Sequence, residues 1–158
     1  MSKNILIGLS FGITSAAITT LGLIVGLEAA TSSLKVVLSG ILTIAIADAF
    51  SDALGIHISQ ESQDSSTLKE VWTATVATFF AKFLFALTFA VPFLLLPISQ
   101  AVFVDIIWGF FIIFALSFYL AKKEKKNLVW FVSENLLIAI VIIFLTRQVG
   151  HLISLFFN

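Results

Sequence analysis

The 158-residue chain is 59% hydrophobic and only 11% charged, and its nine basic and nine acidic side chains cancel to a net charge of zero. A soluble domain carries roughly 25% charged residues, so this composition excludes a soluble enzyme, a disordered chain and a nucleic-acid binder. The absence of cysteine excludes disulfides and thiolate metal sites. What remains is a small integral membrane protein with one membrane domain, residues 1–158.

Five apolar stretches are long enough to cross a bilayer as helices, because about 20 residues are needed for one crossing. They are too long, and too rich in Leu, Ile, Phe and Ala, to be the alternating strands of a membrane barrel. The sequence therefore predicts an all-α membrane protein with five transmembrane helices. The predicted spans are residues 4–30, 34–58, 71–96, 101–121 and 128–150.

The connection at residues 122–127 (KKEKKN) concentrates the basic residues of the chain. Short cytoplasmic loops carry the excess of Lys and Arg in membrane proteins, so this loop is placed in the cytoplasm. Six lysines then share the cytoplasmic side, and Lys35 lies on the other side. We expect the N-terminus in the cytoplasm and the C-terminus outside, with a prokaryotic plasma membrane as the default location.

The second span contains two carboxylates, Asp48 and Asp52, which lie on one helix face because they are four residues apart. Carboxylates inside a membrane are costly and typically belong to ion or proton pathways. Because like charges at this spacing repel, one of the two is expected to keep a proton until a cation arrives. The pair predicts a site where a metal ion exchanges with protons; the alternative is a structural pair neutralised by a basic partner.

Lys82 in the third span is the candidate for that partner, because it lies at a depth similar to that of Asp48. The sequence leaves open which aspartate it contacts, and whether the contact is structural or part of transport. The first span has a face of small and hydroxyl residues, which either packs closely against another helix, including that of a second copy, or lines a polar path. This face consists of Gly8, Gly12, Ser15, Thr19, Gly22 and Gly26.

Three further acidic residues are candidates for a vestibule. Asp105, near the outer end of the fourth span, is either a vestibule acid or simply solvated. Glu61 and Asp64 belong to the polar segment 59–70, which either collects hard cations or forms a solvated turn.

The stretches TTLGLIVGL at 19–27 and ILTIAIADAFSDALGIHISQESQ at 41–63 resemble the vacuolar iron transporter family. That family has five membrane helices, works as a dimer and moves ferrous iron or manganese out of the cytoplasm in exchange for protons. Its second helix carries a pattern similar to A-x-S-M-A-x-G-E-Y-x-S-x-x-S-Q. The residues that match this pattern are Ala49, Ser51, Ala53, Gly55, Ser59, Ser62 and Gln63.

The chain also departs from the family's pattern. The family's second-helix Met falls at Asp52, its Glu at Ile56 and its Tyr at His57. Its first-helix Asp-Gly pair falls at Ser15-Ala16, and its long acidic metal-collecting domain is reduced to a short loop. A hard carboxylate thus stands where the family has a soft thioether, and oxygen sites suit manganese, magnesium or calcium as well as iron.

Residues and resemblance together predict a transporter of divalent metal cations of the iron or manganese class, acting as a proton-coupled antiporter. It would be a homodimer with the first helices near the two-fold axis. The expected ligands are Asp48 and Asp52, the expected path residues are Ser15, Thr19, Ser51 and Gly55, and Lys82 would balance charge in the empty state. The alternative is a non-transporting scaffold held together by Asp–Lys contacts. No nucleophile–base pair points to an enzyme, and no cofactor is expected besides the transported metal.

Overall fold

The computed structural model describes residues 3–63 and 67–157, and almost all of them are helical. The helices are α1 (Lys3–Thr31), α2 (Leu34–Glu61), α3 (Leu68–Thr88), α4 (Val91–Leu95), α5 (Ile98–Lys123) and α6 (Leu128–Phe157). Because α3 and α4 together form one span, the described chain has five segments long and apolar enough to cross a membrane. The predicted all-α class and the predicted number of spans are confirmed.

Local sequence signals explain where the helices begin and end. α1 ends at Thr31 because Ser32 adopts a left-handed backbone (φ 48°) while its N–H donates to the Glu28 carbonyl at 2.8 Å. α3 begins at a capping box in which the Thr67 N–H donates to the Glu70 carboxylate at 2.9 Å. Such short connections reverse the chain direction at each end of the bundle.

Pro92 explains the break between α3 and α4. Proline has no N–H, and its ring clashes with the carbonyl four residues earlier, which here belongs to Thr88. α3 therefore stops at Thr88, and Pro92 lies in the first turn of α4. Pro97 then precedes α5 as its N-cap residue. Pro92 thus interrupts the third span, and Pro97 separates the third span from the fourth.

The polar segment 59–70 is shorter as a loop than predicted. α2 continues to Glu61, because polar side chains complete its last turn, and α3 begins at Leu68. The Ser62 hydroxyl, for example, donates to the Ile58 carbonyl at 2.6 Å. Similarly, α6 extends beyond residue 150 to Phe157.

The central element is α1, which packs against α2, α3, α5 and α6. Its glycines allow this: a Cβ added at Gly12 would lie 2.7 Å from the Thr78 carbonyl oxygen and 2.9 Å from the Ala81 Cβ. Further along, a Cβ at Gly22 would lie 3.2 Å from the Ile142 side chain. The glycines of the small-residue face therefore pack α1 against its neighbours within one chain.

Large apolar side chains cover the outside of the bundle, especially on α2, α5 and α6. Phe50 on α2 is 63% exposed, and Phe144 on α6 is 59% exposed. In water such a surface would be unfavourable, whereas hydrocarbon accommodates it, and helices satisfy the backbone there. The chain is thus an integral, multi-pass membrane protein.

Candidate cation site

Three helices bring polar side chains together near their midpoints. α1 supplies Ser15 and Thr19, α2 supplies Asp48 and Asp52, and α3 supplies Lys82. The site forms there because α1, α2 and α3 pack against one another. The glycine contact of α1 with the backbone of α3 lies one turn from Ser15, so the hydroxyls of α1 come within reach of the lysine.

The Lys82 ammonium is surrounded by four oxygens. Its Nζ lies 2.5 Å from Asp48 Oδ2 and 3.2 Å from Asp52 Oδ2, and it donates to Ser15 Oγ at 2.7 Å and Thr19 Oγ1 at 2.8 Å. The Lys82 side chain is completely buried. The question of which aspartate it contacts is answered: it contacts both, and Asp48 more closely.

We call the four oxygens around Lys82 the cage, and Thr19 contacts both Lys82 and one of the other cage residues, Asp48. Its hydroxyl lies 2.8 Å from the Ser15 carbonyl and 3.1 Å from Asp48 Oδ2, so its one proton serves one of these acceptors at a time. Two carboxylates and two hydroxyls around one point are also the donor types that hard divalent cations prefer. The ammonium thus stands where a cation with oxygen ligands would stand.

The cage borders a groove on the outside of α2. The groove has a volume of about 540 Å³ and contains Asp48 and Ser51 among its lining residues. The Asp48 side chain is 27% exposed and the Asp52 side chain 16% exposed, whereas Lys82 is closed off. Asp48 therefore forms the boundary between the groove and the buried ammonium.

The remaining predicted path residue, Gly55, does not serve close packing within the described chain. A Cβ added there would meet no atom within 4 Å. Gly55 is exposed on the surface of α2. The expectation that it lets helices pack closely at the site is thus wrong within one protomer.

Asp105 is not a solvated residue. It is completely buried in α5, and neither carboxylate oxygen has a hydrogen-bond partner within residues 3–63 and 67–157. A signal for this burial exists in the sequence, because small residues recur around Asp105 at four-residue spacing, interrupted only by Ile113. Ala101, Asp105, Gly109, Ser117 and Ala121 all lie on the buried face of α5.

The other candidates lie away from the cage. Glu61 is exposed at the end of α2, where its carboxylate is 4.0 Å from the His57 ring. His57 in turn shares a hydrogen bond with the Thr75 hydroxyl at 3.0 Å. Asp64 lies outside the described residues. The described chain contains no cluster of three or more His, Cys, Asp or Glu side chains that could hold a metal ion.

One buried hydroxyl group is not predicted from the sequence. Thr20, next to Thr19 on α1, is completely buried, and its Oγ1 has no hydrogen-bond partner among the described residues. Threonine is common in membrane helices, so the residue type alone does not predict that this hydroxyl is buried.

No protein-family model matches the chain, and no curated protein or solved structure is significantly similar to it. The arguments for function therefore rest on the residues of the chain and on the geometry of the cage.

Proposed function

We propose that the protein transports divalent metal cations of the iron or manganese class across the membrane, in exchange for protons. The observation that carries the proposal is the four-oxygen cage, in which Asp48, Asp52, Ser15 and Thr19 surround a single positive charge at mid-membrane. In the empty state the Lys82 ammonium occupies the cage. The arriving metal ion takes its place among the same oxygens.

Charge accounting supports an exchange with protons. With two carboxylates and one ammonium, the fully ionised cage carries one uncompensated negative charge, so the empty state keeps one proton on a carboxyl. A divalent ion balances both carboxylates by itself. Exchange of one divalent ion for two protons replaces two positive charges by two and therefore moves no net charge across the membrane.

The groove beside Asp48 supports a homodimer. Ser39, Thr43, Ala47 and Ser51 form what we call the groove face of α2, a four-residue repeat of small side chains that are all exposed. Hydrocarbon cannot hydrogen-bond to these hydroxyls or to the partly exposed Asp48, whereas the same face of a second copy can. Leu23 of α1 also lines the groove, so this arrangement brings the first helices near the two-fold axis.

The lysine-rich connection supports the orientation of the chain. The segment between α5 and α6 contains Lys125 and Lys126, and Lys122 and Lys123 end α5. The excess of positive charge in short loops marks the cytoplasmic side. In this orientation the protein moves its cargo between the cytoplasm, on the side of the N-terminus, and the outside, on the side of the C-terminus.

Uptake of Mn²⁺ into proteoliposomes tests the transport proposal. The double variant Asp48→Asn/Asp52→Asn removes both negative charges while keeping the side-chain shapes, so metal uptake should fall to the level of empty liposomes. The matched control is Glu134→Gln, which changes an exposed carboxyl on α6 and should leave uptake unchanged. Uptake by a folded double variant at the rate of the unaltered protein would contradict the proposal.

A scaffold held by Asp–Lys contacts is the second candidate, and the complete burial of Lys82 between both aspartates favours it. A panel of divalent ions in a thermal-unfolding experiment separates the two functions. A transporter that binds Mn²⁺ should melt at a higher temperature as the ion is added, and the double variant should lose this shift. A scaffold should show no shift with any ion.

A further inference from the structure

Asp105 is an ionisable group inside the membrane-spanning bundle that lies apart from the cage. It belongs to α5, whereas the cage residues belong to α1, α2 and α3. It is completely buried, and neither of its oxygens accepts or donates a hydrogen bond within the described ranges 3–63 and 67–157. No ion pair involves it in the same part of the chain. A charge in such a position has neither a partner nor water.

The surroundings of Asp105 show which charge state of its carboxyl group fits the closed bundle. One turn along α5, a Cβ added at Gly109 would overlap the buried Leu21 side chain of α1, so α1 and α5 are in close contact beside Asp105. We call this contact the α1–α5 seam. Only a neutral carboxylic acid fits there without a counter-ion, because an ionised carboxylate would need water or a cation that the closed seam does not admit.

A small polar cavity lies next to this position. Its volume is about 190 Å³, and it is lined in part by Val102 and Ile106 of α5, three residues before and one residue after Asp105. Its polar lining consists of Glu28 of α1, Ser99 of α5 and Arg147 of α6. Asp105 itself is not among the lining residues, so the side chains packed around it close it off from this cavity.

The charged groups of the helices packed on α5 leave Asp105 without a counter-ion. α1 and α6 present Glu28 and Arg147 at the cavity, and α4 contains no ionisable residue. On α3, Lys82 is held by Asp48 and Asp52. Ionisation of Asp105 thus creates a charge that the described chain does not neutralise in the closed seam.

We propose that Asp105 is a proton-binding site whose deprotonation opens the α1–α5 seam to water from the Glu28–Arg147 cavity. The carboxylic acid gives its proton to water, and the resulting carboxylate is stabilised by the water that enters. When the proton returns, the neutral acid allows the seam to close. This gate operates whether or not the protein transports a metal ion.

Cysteine labelling tests the gate directly, because the chain has no cysteine of its own. Ala101→Cys places one thiol on the buried face of α5, one turn from Asp105, where the closed bundle shields it completely, and a charged maleimide reports its access to water in lipid nanodiscs. Ser33→Cys, in the short connection between α1 and α2, reports the intrinsic pH dependence of the reagent, and its side chain makes no capping hydrogen bond.

The labelling rate at Ala101→Cys, divided by that at Ser33→Cys, should rise with pH. While Asp105 is mostly protonated, its ionised fraction increases roughly tenfold for each pH unit, and the open population should follow it. With Asp105→Asn, which keeps the shape but cannot ionise, the ratio should be constant and low. A constant ratio in the unaltered background, or the same rise in the Asn variant, overturns the proposal.

Infrared spectroscopy gives a second readout that does not depend on the cysteine variants. The difference spectrum between the unaltered protein and Asp105→Asn should contain the carbonyl band of a buried carboxylic acid that disappears at high pH, whereas the band of the protonated carboxyl in the cage cancels because both proteins contain it. If Asp105→Asn does not fold, Asp105→Ala replaces it, because alanine also cannot ionise and adds no bulk to the seam. Absence of this band from the difference spectrum of the folded variant overturns the assignment of the proton to Asp105.

Discussion

A lysine without any contact with solvent is stable only when its charge is well compensated. The Lys82 ammonium has that compensation from two carboxylates and two hydroxyls within 3.2 Å. Removing one partner from such a group leaves uncompensated charge, whereas removing the whole group leaves none. The stability of the cage therefore depends on one side chain, and the cost of changing it depends on which partners remain.

The variant Lys82→Met tests how the free energy of unfolding depends on the charged partners that remain in the cage. It leaves Asp48 and Asp52 facing each other without the ammonium, so the free energy of unfolding should fall by about 3–5 kcal/mol. Adding Asp48→Asn and Asp52→Asn to the same chain should recover most of the loss, because no charge then remains to be balanced. Tryptophan fluorescence during denaturation in mixed detergent micelles measures both changes.

The matched control for Lys82→Met is Lys69→Met, which removes an exposed lysine from the same helix. Its free energy of unfolding should stay within about 0.5 kcal/mol of the unaltered protein. If Lys82→Met proves as stable as this control, the ammonium does not hold the carboxylates together.

At the scale of helices, close approach of backbones determines where the polar groups meet. α1 and α3 come close because Gly12 has no side chain, and a Cβ there would also lie 3.0 Å from the Lys82 backbone nitrogen. The glycine therefore positions the turn of α3 that carries the lysine. In hydrocarbon this packing is driven by van der Waals contact and interhelical hydrogen bonds, because lipid tails are as apolar as the helices.

Gly12→Ala and Gly55→Ala form a matched pair of substitutions. At Gly12 the new Cβ meets backbone and the Ala81 side chain below 3.0 Å, so α1 and α3 must separate and the free energy of unfolding should fall by about 1–3 kcal/mol. At Gly55 it meets nothing within 4 Å, so the better helix propensity of alanine should leave stability equal or up to about 1 kcal/mol higher. Thermal unfolding in detergent compares them. Equal losses would show that the α1–α3 contact is not sterically demanding.

At the scale of the whole molecule, the groove face of α2 distinguishes one side of the bundle from the others. Most of the outer surface carries large apolar side chains, whereas this face carries small residues and the edge of the partly exposed Asp48. A hydrophobic environment favours such residues at helix contacts rather than toward lipid. The proposed homodimer would cover them and close the groove beside the cage.

Disulfide cross-linking tests the proposed contact between copies. Ala47→Cys introduces the only thiol of the chain at the centre of the groove face, so mild oxidation in membranes should produce a covalent dimer. Phe111→Cys, on the exposed surface of α5, is the control and should remain monomeric. Equal cross-linking at both positions would indicate random collision instead of a specific interface.

How far the sequence predicts this molecule differs between its fold and its site. The length and apolarity of the spans, and the prolines between α3 and α5, determine the helices locally, so they are predictable. The similar depth of Asp48 and Lys82 is likewise readable from their positions within spans. The rotation of each helix about its axis is not, because it depends on contacts between distant residues. Contact of Lys82 with both aspartates and the burial of Asp105 both depend on that rotation.

The order of the cage residues along the chain has a consequence for how the protein is made. Ser15 and Thr19 emerge from the ribosome first, Asp48 and Asp52 follow, and Lys82 comes last. A central charge adds about 3 kcal/mol to the cost of inserting a helix, so the α1–α2 hairpin enters the bilayer with acids that have no base. Their basic partner arrives only when α3 is inserted beside α1 and α2. The ion pairs of the cage can therefore form only after the third segment has left the translocon.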